Sequence, residues 1–256
     1  MYQHSSNLFP GIFFLCCCLG LTGVHAASIT LAVANSTCNT IKQVGERFSA
    51  RHPVEIDYIC KSSGRLAKGL HGRAIEADIY ISANRRWMEY MVKGGQISAD
   101  KVTSPWGNRL VVSAPAASPL VMEQWSDLVG EGIHTILIGD PGTAPFGRYT
   151  KQALQRTGLW EQVKHKITTK KHITLLAETL ARSDGRTVGI LFSTNLNHRL
   201  QALFPVDPAW HPPIRYYMAP IDKSADRPET RQLLDFILGP EGREIFGNAG
   251  FHVTPP

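Results

Sequence analysis

Apolar positions along this chain alternate between two patterns, short runs rich in β-branched residues and longer stretches with helical spacing. Residues 28–34 (SITLAVA) predict a buried strand, and Ile41, Val44 and Phe48 mark one face of a helix over 40–49. A second strand is predicted at 54–59 (VEIDYI), followed by Ser62-Ser63-Gly64 and a helix through Leu66 and Leu70. A third strand at 77–82 leads into a helix over 86–93. The same alternation restarts near Asn108, with strands at 109–113, 136–138, 166–168 and 188–192. Helices at 149–157 and 172–181 separate them, the first preceded by a turn at 144–147.

The last stretch changes character. Residues 204–213 (FPVDPAWHPP) contain four prolines and are expected to be irregular, because proline supplies no N–H and fixes its own backbone angle. A strand at 214–218 and two helices, 229–238 and 241–246, follow, the helices parted by Gly239-Pro240. Strands alternating with helices specify α/β units with parallel pairing. The two groups predict two α/β lobes, residues 27–108 plus 217–256 and residues 109–216. Ligands of open α/β sheets bind outside the carboxyl ends of the strands, in the turns that lead into helices.

Residues 12–21 (IFFLCCCLGL) form an apolar run too short to span a bilayer, and Val24-His25-Ala26 carries small residues where a signal peptidase cleaves. Residues 1–26 are therefore expected to be a removable export signal and the mature protein to be periplasmic. The start, MYQHSSNLFPG, carries no Lys or Arg, and a buried N-terminal helix is the alternative. Composition is that of an ordinary folded domain, 43% hydrophobic and 19% charged, with a formal charge of +6. This balance suits an anionic ligand. The positive residues are scattered without an aromatic-and-basic motif, so no nucleic-acid partner is expected. Three of five cysteines fall in the export segment, leaving Cys38 and Cys60.

The predicted strand-to-helix turns hold the candidate chemistry: Ala34-Asn35-Ser36-Thr37, Lys61-Ser62-Ser63-Gly64-Arg65, Ala144-Pro145-Phe146-Gly147 and Lys171-His172-Ile173-Thr174. The first turn of a helix has about four N–H groups without intrahelical acceptors and a partial positive charge, which together favour an anion. Each hydroxyl taken alone reads first as a helix cap, and Lys170-Lys171-His172 as a solvated basic stretch. No G-x-S-x-G elbow, phosphate-binding Walker loop or H-E-x-x-H motif occurs, and the ten histidines lack metal-ligand spacing. Asp78 and Asp140 read as structural. An enzyme is not expected, nor a cofactor.

As a set, ITLAVANST, SSGRLAKGLHGRAIEADIYISANRRWMEYMVKGG, GNRLVVSAP, IGDPGTAPFGRYTKQALQRTGLWE, VGILFSTN and LLDFILGPEGREIFGNAGF resemble the periplasmic molybdate-binding proteins of ABC transporters over nearly all of the mature chain. The resemblance implies a two-lobed periplasmic-binding-protein-like fold closing over molybdate or tungstate, a monomer that delivers its ligand to a membrane permease and its ATPase. Matched by position, the ligand shell would be Ser36, Ser63 and the backbone at Phe146 and Ile173, with Asn35 as an amide donor found in a related branch.

Two positions depart from that pattern. Phe192 stands where the better-known branch offers a tyrosine hydroxyl, and one hydrogen bond to a charged ligand is worth about 1.5–3 kcal/mol. Asn35 and Tyr149 are alternative replacements. Phe146 stands where a smaller residue is common and is expected to narrow the cleft. A ring of neutral donors rather than Lys or Arg is expected to hold the ligand. Sulfate, a small organic anion, and a non-transport interaction protein remain as rival readings. Cys38 and Cys60 lie just past two strand ends that neighbour each other in such a sheet, which suggests a disulfide beside the site; two small buried thiols are the alternative. Titration of the unreduced mature protein should find no free thiol, and finding two would overturn the pairing.

Overall fold

Strand β1 (Ala27–Ala34) lies inside a sheet, and both of its faces are buried. Its alternate residues feed two different cores. Ile29, Leu31 and Val33 pack with Ile41, Val44 and Phe48 of helix α1 (Cys38–Ser49), whereas Ala32 packs with Leu66, Ala67 and Leu70 of helix α2 (Ser63–His71). Such two-sided burial explains why β1 reads as a continuous apolar run. β1 is flanked by two parallel strands, β2 (Val54–Lys61) on one side and β3 (Ile79–Ser82) on the other, with α3 (Arg85–Lys93) following β3. In this computed structural model, Met1 and residues 27–142 and 144–253 are described. The rest of the expected export segment lies outside the described residues.

The chain then passes through β4 (Thr103–Gly107) into β5 (Leu110–Pro115) and a second sheet. That sheet adds β6 (Thr135–Gly139), β7 (Ile167–Lys170), β8 (Thr187–Phe192) and β9 (Leu200–Pro205), in the order β7-β6-β8-β5-β9. Helices α4 (Pro145–Arg156), α5 (Trp160–Val163) and α6 (Ile173–Ala181) cover it. The chain returns through β10 (Arg215–Pro220), helices α7 (Pro228–Leu238) and α8 (Pro240–Asn248), and β11 (His252–Val253), completing the first sheet as β11-β4-β10-β3-β1-β2.

Both sheets are mixed rather than mostly parallel. In each, a parallel trio (β2-β1-β3 and β7-β6-β8) is extended on one side by antiparallel strands. The antiparallel strands arise where the chain crosses between sheets and comes back. In both trios the first strand is central, so its successors lie on opposite sides, and the switch point falls at the carboxyl ends of β1 and β6. The crossing segments touch, the Asn108 N–H donating to the Ile214 carbonyl at 3.0 Å. Strand β10 lies wholly in the first sheet and starts at Arg215, slightly before the expected division at 217.

Several sequence expectations change. The proline-rich stretch 204–213 is partly regular: Phe204 and Pro205 end β9, and Pro208–Trp210 forms a 3-10 turn. Strand β9 is an edge strand with Pro205 as its last residue, where a missing N–H is tolerated. The predicted turn at 144–147 contains the first turn of α4, with Pro145 at its start. Strand β4 escapes periodicity because Pro105 and Gly107 interrupt it, yet its Trp106 is fully buried and stacks on Phe246 at 3.8 Å.

Cys38 and Cys60 form a disulfide with Cα atoms 6.0 Å apart, tying the start of α1 to the end of β2. Closing a loop of this length contributes about 3 kcal/mol through the unfolded chain. No helix among the described residues is long and apolar enough to cross a membrane.

Candidate functional site

A cleft of about 740 Å³ opens at the switch points, lined by Asn35, Ser36, Ser62, Ser63, Gly64, Arg65, Lys68, Asn84 and Trp87 from the first sheet's side and by Pro145 and Arg148 of α4 from the second. None of its lining residues is acidic. A separate recess of about 420 Å³ behind α2 holds charges of both signs, Arg73, Glu76, Asp222 and Lys223, and does not select an anion in the same way. Among the described residues no cluster of His, Cys, Asp or Glu is placed to hold a metal.

Register brings the lobe-one donors together. β1 and β2 are paired to their ends, Val33 opposite Cys60 and Ala34 opposite Lys61, so the turns after them emerge side by side. Asn35–Thr37 forms a 3-10 turn in which Thr37 is buried and its hydroxyl donates to the Ala34 carbonyl at 3.0 Å, leaving Asn35 and Ser36 at the cleft.

Ser63 is the first residue of α2, and Ser62, which precedes it, makes no side-chain capping bond. The Ser63 hydroxyl is buried and accepts the Ala83 N–H at 3.0 Å. The Tyr80 hydroxyl donates to the Ser63 carbonyl at 2.8 Å, and burial pushes that phenol up to about 12, so it stays a donor across the physiological range. Because the Ser63 oxygen already accepts a protein N–H, its own proton is available to the cleft. The first intrahelical bond runs from the Leu66 N–H to the Ser62 carbonyl, so the N–H groups of Ser63, Gly64 and Arg65 precede the helical ladder.

Trp87 forms the cleft wall over Gly64. A Cβ on Gly64 would stand 2.5 Å from the indole, so the helix start approaches the ring only through glycine. Lys68 and Arg86 lie over the indole at 5.7 and 5.4 Å.

Across the cleft, α4 docks on the end of β6 by a similar close approach. A Cβ on Gly147 would meet the Gly139 carbonyl oxygen at 2.2 Å. Phe146, expected to narrow the cleft, turns its ring into the second core, edge-on to Phe192 at 6.1 Å. Ile173 is half-buried against the same core at the start of α6. The structure thus gathers Asn35, Ser36 and Ser63 in the cleft, with Pro145 opposite; Phe146 and Ile173 are not among its lining residues.

Tyr149, expected as one alternative donor, is half-buried against His211 at 5.7 Å; burial pushes its phenol up, Arg148 pulls it down and Tyr217 pushes it up. Asp78 accepts from the Thr30 N–H at 2.8 Å and from Arg227 at 2.9 Å, and Asp140 accepts the Gly142 N–H at 2.8 Å, both structural bonds away from the cleft lining.

Two features lay beyond the sequence reading. Arg65, Lys68 and Arg148 give the cleft a cationic edge where only neutral donors were expected. Arg65 stood in the quoted Ser-Ser-Gly-Arg turn, and Arg148 directly after the Phe146-Gly147 pair, so both were visible. Tyr216 was not. It is fully buried and its hydroxyl accepts from the Asn108 amide at 3.2 Å, 108 positions away in sequence, with no local signal linking them.

A two-lobed α/β protein with helix starts and cationic side chains around a cleft is built as a solute receptor. The chain belongs to the bacterial extracellular solute-binding protein family, whose model matches residues 29–252. It is 27% identical to the molybdate-binding protein ModA of Escherichia coli over 96% of this chain and 97% of that protein. Its fold is similar to a Clostridium difficile substrate-binding domain attributed to a molybdenum ABC transporter, with a TM-score of 0.82, 20% identity, and 90% and 100% of the two chains covered. It is also similar to the sulfate-binding protein SubI of Mycobacterium tuberculosis, with a TM-score of 0.68, 15% identity, and 90% and 88% covered.

The Gly64–Trp87 contact makes a direct prediction. Gly64→Ala should destabilise the protein by roughly 1–3 kcal/mol in denaturant unfolding, since the indole must move to admit a methyl group.

Proposed function

We propose that this protein captures molybdate or tungstate in the periplasm, closes its two lobes over it and delivers it to an ABC permease and its ATPase, acting as a monomer and without catalysis. The observation that carries this reading is a cleft in which Asn35, Ser36 and Ser63 meet the starts of α2 and α4 with no acidic residue in the lining. Asn35, Ser36, Ser63 and the backbone N–H groups of Phe146 and Ile173 form the proposed shell, the last two reaching the ligand on closure.

The physical logic is one of donors only. A fully deprotonated tetrahedral dianion offers acceptors in every direction, and each bond to it from a neutral donor is worth about 1.5–3 kcal/mol. Phosphate retains a proton near neutral pH and favours a carboxylate acceptor, which this lining does not supply. Sulfate shares the charge and shape but is smaller, so cavity radius must separate it from molybdate. The curated relative named for molybdate supports the larger anion, and the fold's likeness to a sulfate-binding protein makes sulfate the rival to test. The cationic edge of Arg65, Lys68 and Arg148 draws the anion in and is screened by salt over about 8 Å.

Titration calorimetry of residues 27–256 with molybdate, tungstate, sulfate and phosphate checks this. Molybdate and tungstate should bind more tightly than sulfate, with phosphate weakest; sulfate binding most tightly would reassign the ligand, and heat from none would overturn the oxyanion reading. In the same assay Ser63→Ala should weaken binding by roughly 1–3 kcal/mol, and an unchanged affinity would reduce Ser63 to a helix-start residue.

A further inference from the structure

The disulfide joins the two segments of the first sheet that carry cleft hydroxyls. Cys38 is the first residue of α1 and directly follows the Asn35–Thr37 turn; Cys60 is the last residue but one of β2, just ahead of Ser62 and Ser63. The parallel register runs through Val33–Cys60 and Ala34–Lys61, so the bridge crosses from one turn to the other directly behind the cleft. Neither cysteine lines the cleft. Cys38 is buried among Ile41, Val44 and Phe48 beneath α1, and Cys60 packs half-buried against the same core. The pair touches the site only through the turns it ties.

Those turns have few other links to each other. Ser63 is held from the β3 side, by the Tyr80 hydroxyl and the Ala83 N–H. In the first turn the Thr37 hydroxyl bonds internally, to the Ala34 carbonyl. Among the described residues no side-chain hydrogen bond joins one turn to the other. β2 is an edge strand, and its ladder with β1 stops at Lys61, just before Ser62. Hydrogen bonds to a shared anion hold at about 2.7–3.2 Å, so a drift of roughly 0.5–1 Å between the turns takes a donor out of reach.

We infer that Cys38 and Cys60 are a positioning pair: their disulfide fixes the spacing between the Asn35–Ser36 and Ser62–Ser63 turns and so raises the affinity of the cleft for its anion. This rests on the proposed oxyanion site. It makes affinity depend on the oxidation state of two residues that never touch the ligand. A cross-link that served folding alone would act on the unfolded chain and leave the affinity of the folded protein unchanged.

Calorimetry with molybdate on the mature chain tests this, at a temperature where thermal melts show each variant folded. Cys38→Ala/Cys60→Ala should bind about 5- to 50-fold more weakly than the oxidised wild type. In the Ser36→Ala background the same pair of changes should cost clearly less, because one of the positioned hydroxyls is already gone. A lower melting temperature with unchanged affinity would reduce the disulfide to a fold staple and overturn the inference. An equal loss in both backgrounds would overturn it too. Should the alanine variant melt too low to titrate, Cys38→Val/Cys60→Ala refills the core position and takes its place in the cycle, with the same outcomes. Wild type reduced with a water-soluble phosphine, which leaves as its oxide and is removed before titration, should bind as weakly as the variant and recover its affinity on reoxidation. Absence of molybdate binding by the oxidised wild type removes the oxyanion reading and this inference with it; equal binding by oxidised and reduced chains removes the inference alone.

Discussion

Backbone N–H groups at the start of a helix have no partner within the helix, and this protein arranges several such starts around one space. Each parallel trio places its first strand in the centre, so the chain leaves β1 and β6 at crevices rather than at covered edges. The helices that follow begin there, and their unpaired donors line or face the cleft. Everything else serves to hold those starts in place. The disulfide ties α1 to the end of β2, Tyr80 and Ala83 hold Ser63 from β3 and its following turn, and Gly139 and Gly147 let α4 sit directly on β6.

Two kinds of positive potential then act at different ranges. Arg65, Lys68 and Arg148 are cationic groups at the cleft, and their field reaches incoming anions in water. Salt attenuates that field, so it governs encounter more than selectivity. The hydroxyls and N–H groups act only at contact, where correct radius and full deprotonation are both required. In the proposed site, selectivity comes from offering no carboxylate to a protonated anion, and the Ser63 oxygen, occupied by the Ala83 N–H, serves the same end.

Phe192 shows how an aromatic side chain near the cleft is spent on packing. It carries no donor, and its ring packs edge-on against Phe146 in the second core. Both aromatic side chains are thus committed to packing. In the proposed shell Phe146 contributes only its backbone N–H, because its side chain is directed into the core.

Much of the architecture was legible from residue pattern. β1 and β8 are buried on both faces and read as apolar runs; α1, α2 and α3 show helical spacing because one face of each meets a core. The turns bearing Asn35, Ser36 and Ser63 followed from those strands, since a strand's end and a helix's start are both local signals. Antiparallel pairing of β4, β5 and β10 was not legible, because periodicity says which face is buried and not which neighbour a strand takes. The same limit hid Trp106 in a strand broken by proline and glycine, and the ordered Phe204-Pro205 pair at a sheet edge. The cationic edge required knowing that Arg148 and Arg65 face one cleft from different sheets. Tyr216 and Asn108 meet only because β10 returns to the first sheet after the entire second sheet has been built; a hydrogen bond across 108 residues is a property of tertiary structure alone.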